Sequence, residues 1–409
     1  MKVRHEKTAA YSGEEAERAA RRVLHGSPVY IVLYLIGTTW AIYSYSNVFF
    51  MLAPYLDLKG FSSEFAGILV GGFYAATTFA RPLGGWIVER AGIRRTLVVS
   101  AFLCLGIVLF MFVAGSFWAL LSIRLAMGCA FGVFVVALTT YQSLVIPEEI
   151  RGLAFALITL GSLACLFTVV PFADWLLARG RTSLFLGIPV FMAGFCVVLS
   201  FRLPPLSGGP SAAPEKWGTW SELYRDTPSW RMVTSCVLFG LCDASIVYLP
   251  TLALAMGLVP SAFVVANGLG ALAIRIWGRE FFNRYPRYVF AGPSLLVMAF
   301  FLYLTTVATS NLWLFICGFL YGVGMGYGYP AHLALIGDLA PARLRAKSSS
   351  LVHFCYDVSW FILPVYVGFA SPTIGEIGAF KLLALFNIAS GVGITMMWMR
   401  YAKNPSRHR

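Results

Sequence analysis

Charged side chains are scarce in this sequence, and their scarcity excludes a soluble protein. Only 12% of the 409 residues are charged, whereas 59% are hydrophobic and the mean hydropathy is +0.76. A soluble globular domain carries roughly 25% charged residues. The composition therefore indicates an integral membrane protein that has the lipid bilayer as its surroundings.

Several chemical signatures are absent as well. The sequence contains no G-x-x-x-x-G-K-[ST] phosphate loop and no H-E-x-x-H motif, which argues against ATP as the energy source and against zinc protease chemistry. The eight cysteines form no C-x-x-C pair and lie in apolar runs, so we interpret them as small buried hydrophobic side chains. We expect no cofactor and no metal. Residues 1–27 lack the apolar segment of a secretory signal, so the first apolar run is expected to act as an uncleaved signal.

The apolar residues fall into twelve runs, each long enough for a membrane helix of roughly 20 residues. They are too long for barrel strands, which need only about 9–11 residues. We therefore predict an all-α membrane protein with twelve transmembrane helices, numbered here as spans 1 to 12. The runs cover residues 28–54, 63–88, 96–114, 116–140, 153–177, 183–201, 230–256, 259–278, 288–308, 311–336, 349–370 and 379–400.

The net charge of +13 indicates membrane topology rather than a nucleic-acid partner. Of the 31 lysines and arginines, 24 fall on one side of the predicted spans, in both terminal tails and in alternate loops. Positive residues collect in cytoplasmic loops. We therefore expect both termini in the cytoplasm, a location in a bacterial cytoplasmic (inner) membrane, and no nucleic acid bound.

A repeat with an offset of 194 residues relates the two halves of the chain. The matching pairs are Arg81 and Arg275, Gly84 and Gly278, Gly128 and Gly322, and Gly132 and Gly326. Because six spans return the chain to its starting side, the halves are parallel repeats about an axis along the membrane normal. The predicted organisation is a tail at 1–27, a six-helix bundle at 28–201, a linker at 202–229, a second six-helix bundle at 230–401 and a tail at 402–409.

The loop after span 2 carries the pattern G-x-x-x-D/N-R-x-G-R/K-R/K, with Glu in place of the usual Asp. The residues that meet it are Gly85, Glu89, Arg90, Gly92 and Arg94. At the same offset, a degraded second copy retains Asn283 and Arg284. Through these motifs and the twelve-span repeat, the sequence resembles the major facilitator superfamily over essentially its whole length. The resemblance implies two pseudo-symmetric six-helix bundles that rock about a binding site at half depth.

The resemblance also implies that this loop gates transport. It places Glu89 near the start of span 11, around residues 348–350, where a carboxylate meets the partial positive charge of a helix N-terminus, worth roughly 0.3–1 kcal/mol. Arg90 would neutralise carboxylate or carbonyl groups at the same contact between this loop and span 11. The alternative is that the charges of both loop copies only set topology.

Three titratable side chains inside the spans are candidates for proton coupling. A charge at a helix centre costs about 2.5–3.5 kcal/mol on insertion scales, so it requires a partner or an aqueous path. Asp243 lies in the middle of span 7. His353 and Asp357 stand one turn apart on span 11, a spacing that allows the carboxylate to fix the imidazole tautomer in a proton relay. A structural ion pair is the alternative for each acid.

Substrate-binding candidates lie on spans that face the central cavity in this family. They are Thr39, Tyr43, Asn47, Arg124, Tyr321 and Tyr327. The first three form a polar stripe on span 1, and the arginine of span 4 could hold an anionic solute. The tyrosines of span 10, with neighbouring Tyr329, could wall a cavity that stacks an organic solute, or they could serve only in packing.

Other charged positions are interpreted as structural or solvated. Arg81 and Arg275 lie toward the basic ends of their spans, where we expect their side chains to snorkel. Asp174 lies at a span end, where we expect solvent contact.

The sequence thus predicts a secondary transporter rather than an enzyme. We expect a monomer that moves a small organic solute by alternating access, with protons as the coupling ion and export by antiport as the direction. An importer or facilitator of an organic anion or metabolite is the alternative. The intramembrane enzyme suggested by "LIGD" at 335–338 is more remote, because the first glycine of the G-x-G-D protease pattern is missing.

Overall fold

Helices account for all regular structure in the computed structural model, which describes residues 28–146, 151–202, 218–278, 284–341 and 344–403. Ten of the described helices are long and apolar enough to cross a membrane, judged by length and composition. One of them, Leu351–Lys403, bends at Gly375 and contributes two spans, and the 29-residue helix Ser63–Ala91 is long enough to be another. The described residues therefore contain twelve membrane-length helical units.

The first six units form one half of the molecule. Their helices are Pro28–Asn47 and Leu52–Leu58 in span 1, Ser63–Ala91 in span 2, Ile93–Leu109 in span 3, Phe117–Val145 in span 4, Arg151–Phe167 and Val169–Leu177 in span 5, and Thr182–Phe201 in span 6. Span 1 packs against spans 5 and 6, and span 4 packs against spans 2 and 3.

The second half repeats this arrangement after a short helix, Trp220–Asp226, in the linker. Its helices are Ser229–Asp243 and Leu249–Ala255 in span 7, Pro260–Trp277 in span 8, Tyr288–Thr305 in span 9, Asn311–Leu339 in span 10 and Arg345–Lys403, which Gly375 divides into spans 11 and 12. Gly375 has a φ of 73°, a left-handed conformation that glycine adopts without steric cost and that reverses the chain direction here.

Spans 1 and 7 are interrupted at corresponding places. A 3₁₀ turn at Val48–Met51 separates the two helices of span 1, and another at Ala244–Val247 separates those of span 7. The two turns are buried and contact each other across the boundary between the halves. Short 3₁₀ segments inside long helices often mark points of bending, so both interruptions lie where the halves meet.

The repeat is visible in atomic packing. A Cβ atom added to Gly128 would clash with the carbonyl oxygen of Phe73, and one added to Gly322 would clash with that of Asn267. Each pair is related to the other by the offset of 194 residues. Glycine therefore allows span 4 to approach span 2, and span 10 to approach span 8, at the same place in each half.

The two ends of the bundle are named by their charge. The basic end holds the starts of spans 1 and 7, the loop between spans 2 and 3, and the end of span 12; the opposite end is called the outer end. The halves meet along spans 2 and 11, spans 5 and 8, and the outer parts of spans 1 and 7. The cysteines are all free, and seven are buried as expected, whereas Cys129 on span 4 is exposed.

Substitution of the two repeat-related glycines tests this packing. We expect Gly128→Ala and Gly322→Ala each to destabilise the protein by about 1–3 kcal/mol, because a methyl group must displace backbone atoms of the facing helix. Thermal unfolding of the detergent-purified protein should show two similar decreases in Tm. Gly194→Ala on span 6, where no atom lies within 4 Å of the added Cβ, is the control and should not lower Tm. Equal behaviour of all three variants would contradict the close approach.

Candidate functional site

Half-buried aromatic side chains from both halves gather at the centre of the molecule. They are Tyr43 of span 1, Tyr74 of span 2, Tyr329 of span 10 and Trp360 of span 11. The rings of Tyr74 and Trp360 lie 5.1 Å apart across the boundary between the halves. The hydroxyl of Tyr329 lies within electrostatic range of Tyr43. We call this region the central site.

Asp243 borders the central site. Its helix ends at this residue, and its side chain is 3% exposed. Trp360 donates a hydrogen bond toward the carboxylate, and no cationic side chain among the described residues pairs with it. The carboxylate also lies within electrostatic range of Tyr74, which belongs to the other half. Asp243 is thus an acid without a counter-ion that faces the boundary between the halves.

Asp357 has a counter-ion from the other half of the molecule. The Nε atom of Arg81 lies 2.7 Å from Oδ2 of Asp357, and Nη2 of Arg81 donates to Oδ1 at 3.0 Å. This ion pair joins span 2 to span 11. The snorkelling expected for Arg81 is therefore wrong, because a carboxylate in the interior provides a better partner than the basic surface. His353 is half-buried one turn away on span 11, and its relay with Asp357 stays a prediction.

Arg275, the repeat counterpart of Arg81, also turns inward. Its Nη1 donates to Oγ1 of Thr159 at 2.8 Å, which joins span 8 to span 5. No acidic side chain among the described residues pairs with it, and Tyr329 is its titratable neighbour. The snorkelling expectation fails here as well.

Arg124 is enclosed by aromatic rings. Its guanidinium carbon lies 4.7 Å from the ring centre of Phe49 and 4.6 Å from that of Phe73, and Nε donates to the carbonyl of Leu69 at 3.1 Å. The side chain is 2% exposed, and Nη1 has no hydrogen-bond partner. Two cation–π contacts thus replace an acidic partner, at about 0.5–2 kcal/mol each.

The polar stripe of span 1 faces spans 4 and 5 of its own half. Thr39 accepts a hydrogen bond from Nε2 of Gln142 at 3.2 Å, and Asn47 donates from Nδ2 to Sγ of Cys165 at 3.1 Å. Tyr43 is half-buried, and its ring meets that of Phe131 edge-on at 5.9 Å. Of the three, Tyr43 is the one placed at the central site.

The two tyrosines of span 10 predicted to bind substrate both pack against neighbouring spans, and Tyr321 also lies within electrostatic range of Asp243. Tyr321 is fully buried, and its hydroxyl donates to the carbonyl of Cys242 at 2.5 Å. The ring of Tyr327 stacks on that of Phe290 at 5.4 Å, next to span 9. Tyr329, two residues further on, is the tyrosine that reaches the centre.

Main-chain and glycine contacts close the outer end. Oδ2 of Asp174 accepts the backbone N–H of Ser261 at 2.9 Å, at the first turn of span 8. Asp174 is buried, so the expectation that it is solvated is wrong: a carboxylate at a helix N-terminus finds unsatisfied N–H donors and a favourable dipole there. Between spans 2 and 11, Gly67 lies directly against Gly368. Outside these contacts, a cavity of about 280 Å³ is lined by acidic Asp57 and Glu376 among others.

Comparison with known proteins assigns the family. The model of the Major Facilitator Superfamily matches residues 34–364. The chain belongs to this superfamily. No curated protein matches the sequence. The predicted fold class is thus confirmed, and the protein is an integral membrane protein and a secondary transporter.

Solved structures of transporters share the fold. A crystal structure of a POT peptide transporter has a TM-score of 0.75 at 14% identity, covering 90% of this chain and 94% of its own. A D-xylose–proton symporter has a TM-score of 0.73 at 12% identity, with 90% and 97% covered. A bacterial homologue of the human lysosomal transporter Spinster, inward-facing and unoccupied, has a TM-score of 0.67 at 15% identity, with 93% and 97% covered.

The superfamily loop is described in part. Gly92 has a φ of 83° and separates span 2 from span 3, so a residue with a Cβ would be strained there. Arg90 stacks on Trp86 at 4.2 Å, and Nη2 of Arg94 donates to the carbonyl of Phe201 at 3.0 Å, at the end of span 6. Gly85 is half-buried with open space around a Cβ position.

The other predicted gating residues make no described contact with span 11. Arg284 is exposed before span 9. The side chain of Glu89, and Asn283 as a whole, lie outside the described residues. The gating role of this loop therefore stays a prediction.

Some residues of the central site were not singled out from the sequence. They are Tyr74 and Trp360. Tyr74 and Trp360 lie in spans 2 and 11, which were not among the spans taken to face the cavity. Trp360 follows Asp357 by three residues, which places both on one helix face, and this spacing was a signal available in the sequence.

A double-mutant cycle tests the pair of Arg81 and Asp357. We expect Arg81→Gln and Asp357→Asn to show a coupling energy of about 1–3 kcal/mol, between the values for exposed and fully buried ion pairs, because the side chains are 26% and 10% exposed. Apparent Tm values of the two single variants and the double variant measure it.

The control cycle uses Arg225 and Asp226, whose ion pair of 3.0 Å lies in the linker helix with the arginine 76% exposed. Its coupling should stay below about 0.5 kcal/mol. Equal coupling in the two cycles would show that the bridge between spans 2 and 11 does not stabilise this conformation.

Proposed function

We propose that this protein exports a small organic solute across the cytoplasmic membrane in exchange for protons, by alternating access. The observation that carries the proposal is Asp243, a buried carboxylate at the boundary between the halves that has no cationic partner in the described part of the chain. Keeping such a group ionised in an apolar interior is costly unless a proton or a positive charge compensates it. An acid in this position is suited to carry the coupling proton.

Span 11 connects this acid to the bridge between the halves. Trp360, which contacts Asp243, lies one turn from Asp357 on the same helix. Protonation of Asp357 would remove one charge of its pair with Arg81 and weaken the closure between spans 2 and 11. We therefore propose that Asp243 and Asp357 are the coupling acids, with His353 as a relay group beside the second.

The contacts between the halves provide the parts of an alternating-access device. Toward the basic end, Arg81 and Arg275 each cross from one half to the other. At the outer end, Asp174 and Gly67 make the crossing contacts. Transport requires that one set opens while the other remains closed, which two rigid bundles achieve by rocking.

Proton coupling and solute binding are compatible with this architecture. The D-xylose–proton symporter named above shares the fold, although at 12% identity it indicates nothing about the solute. The half-buried Tyr43 and Tyr329 supply ring faces on which an organic solute could stack. We propose that the protein works as a monomer, with both termini in the cytoplasm.

Import of an organic anion is the second candidate. The free Nη1 of Arg124 favours it, because a buried guanidinium without an acid partner attracts an anion. Its enclosure between Phe49 and Phe73 counts against it, since a solute would have to displace a ring to reach the charge.

Proteoliposome transport tests the coupling role. A panel of aromatic amines, carboxylates and sugars is offered to liposomes, and uptake is measured by mass spectrometry. An acidic lumen should drive accumulation by the wild-type protein, because an antiporter releases luminal protons as it takes up solute. Asp243→Asn should lose this accumulation, by roughly tenfold or more, and retain solute exchange without a gradient, because the amide keeps the shape and loses the proton site.

Asp57→Asn is the matched control, since that carboxylate is exposed at the outer end. It should accumulate solute as the wild type does. Accumulation driven by an alkaline lumen would favour symport and import instead. Full gradient-driven uptake by Asp243→Asn would remove this residue from the coupling mechanism.

A further inference from the structure

Arg275 has no acidic partner among the described residues, and its one hydrogen bond crosses from one half to the other. A guanidinium has five N–H donors, and the only protein hydrogen bond made by this one among the described residues goes to the hydroxyl of Thr159. The side chain is half-buried. None of its nitrogen atoms is both fully buried and without a hydrogen-bond partner. Its remaining donors are therefore not enclosed by the surrounding side chains.

The repeat shows which partner Arg275 lacks among the described residues. Arg81 occupies the same position in the first half, and its charge is paired with Asp357, to which Nη2 donates a hydrogen bond. The position that corresponds to Asp357 in span 5, 194 residues earlier, is Leu163, a buried apolar side chain. The chain thus supplies an acid for one of the two related arginines and leaves the other with a neutral hydroxyl.

Arg275 is a charged neighbour of the central site. The hydroxyl of Tyr329 lies within electrostatic range of Arg275, of Asp243 and of Arg81. The same hydroxyl is close to Tyr43 of the first half. An anion held by Arg275 would therefore contact both halves and lie beside the aromatic rings proposed to hold the solute.

We propose that Arg275, together with Thr159 and Tyr329, binds an anionic group of the transported solute, a carboxylate or a phosphate. This inference rests on the proposed function, since it names the substrate class of the same central site. Guanidinium groups bind both anions through paired N–H donors, and the hydroxyl groups add neutral donors. Arg124 is less suited to this role, because it is 2% exposed between two rings.

Asp243, which also borders the central site, adds to the recognition. At this site an aromatic acid meets a cation, ring faces and an acid that must be protonated or paired with an amino group. A solute with an anionic group is thus favoured over one that carries only a positive charge. Occupancy by the anion neutralises the charge that the repeat leaves uncompensated.

Ligand-induced thermal stabilisation of the detergent-purified protein tests this site without a proton gradient. The probes are benzoate, its neutral and cationic counterparts benzamide and benzylamine, succinate and inorganic phosphate, all at matched ionic strength in chloride. We expect saturable stabilisation by at least one of the anions and a smaller effect of benzamide and benzylamine. Arg275→Gln should weaken the apparent affinity for that anion by roughly tenfold or more, because a charge-assisted pair is lost.

Two further variants separate binding from folding. Arg275→Lys retains the charge without the planar fork, so its affinity should lie between those of wild type and Arg275→Gln. Arg179→Gln, which removes an exposed arginine at the outer end, should bind as the wild type does. Each variant is first checked for monodispersity by size-exclusion chromatography.

The inference is overturned if no anion of the panel stabilises the wild type, if benzamide or benzylamine does as well as benzoate, or if Arg275→Gln binds unchanged. Because no gradient is applied, these outcomes are independent of proton coupling. Anion binding that persists in Asp243→Asn, together with failure of gradient-driven uptake by the wild type, would retain this site and overturn the proposed antiport alone.

Discussion

The bridge between Arg81 and Asp357 is the interaction on which the arrangement of the two halves depends. Two opposite charges inside a membrane protein are costly apart and tolerable together, because the low dielectric that penalises each one strengthens their attraction. The pair joins side chains separated by 276 residues and fixes span 2 against span 11. Through span 11 it also fixes Trp360 against Asp243. Under the proposed function, a change of protonation at either acid would be transmitted to the contact between the halves.

The two halves share their packing and differ in their charges. Gly128 and Gly322 make the same helix contact in each half, and this shared geometry specifies the fold. Arg81 and Arg275 keep the same position in the repeat and both contact the other half, yet among the residues that the structure describes only Arg81 meets an acid. The symmetric backbone thus provides two similar bundles that can rock against each other. The few polar side chains that differ between the halves give the proposed site its preference for an anionic group.

Composition and periodicity predicted the fold, because long apolar runs in a bilayer have few alternatives to helices. The offset of 194 residues predicted the repeat, and the glycine contacts realise it in space. The sites were predicted less well. The sequence shows that Arg81, Arg275 and Asp174 lie near span ends, but it does not show which residue of the other half meets each one. Snorkelling was the simpler expectation, and each side chain found a specific interior partner instead.

The tyrosines of span 10 are a second case in which the sequence did not show which neighbour each side chain meets. Tyr327 and Tyr329 are two residues apart, which places them on different faces of the helix. The choice between faces depends on how span 10 is rotated against spans 8 and 9, and glycine-rich helices leave that rotation undetermined by hydrophobic pattern alone. In the structure Tyr327 stacks on Phe290, so Tyr329 reaches the centre.

The two ends of the molecule are closed by different chemistry, and this difference bears on the order of events. Toward the basic end the crossing contacts are charged side chains, Arg81 with Asp357 and Arg275 with Thr159. At the outer end a backbone N–H capped by Asp174 and a close contact of Gly67 with Gly368 carry the closure. The contact of Gly67 with Gly368 contains no titratable group, whereas the pair of Arg81 with Asp357, between the same two spans, contains a carboxylate. A proton taken up by Asp357 should therefore act first on the contact of spans 2 and 11 toward the basic end, and the glycine contact should follow through the rigid movement of the bundles.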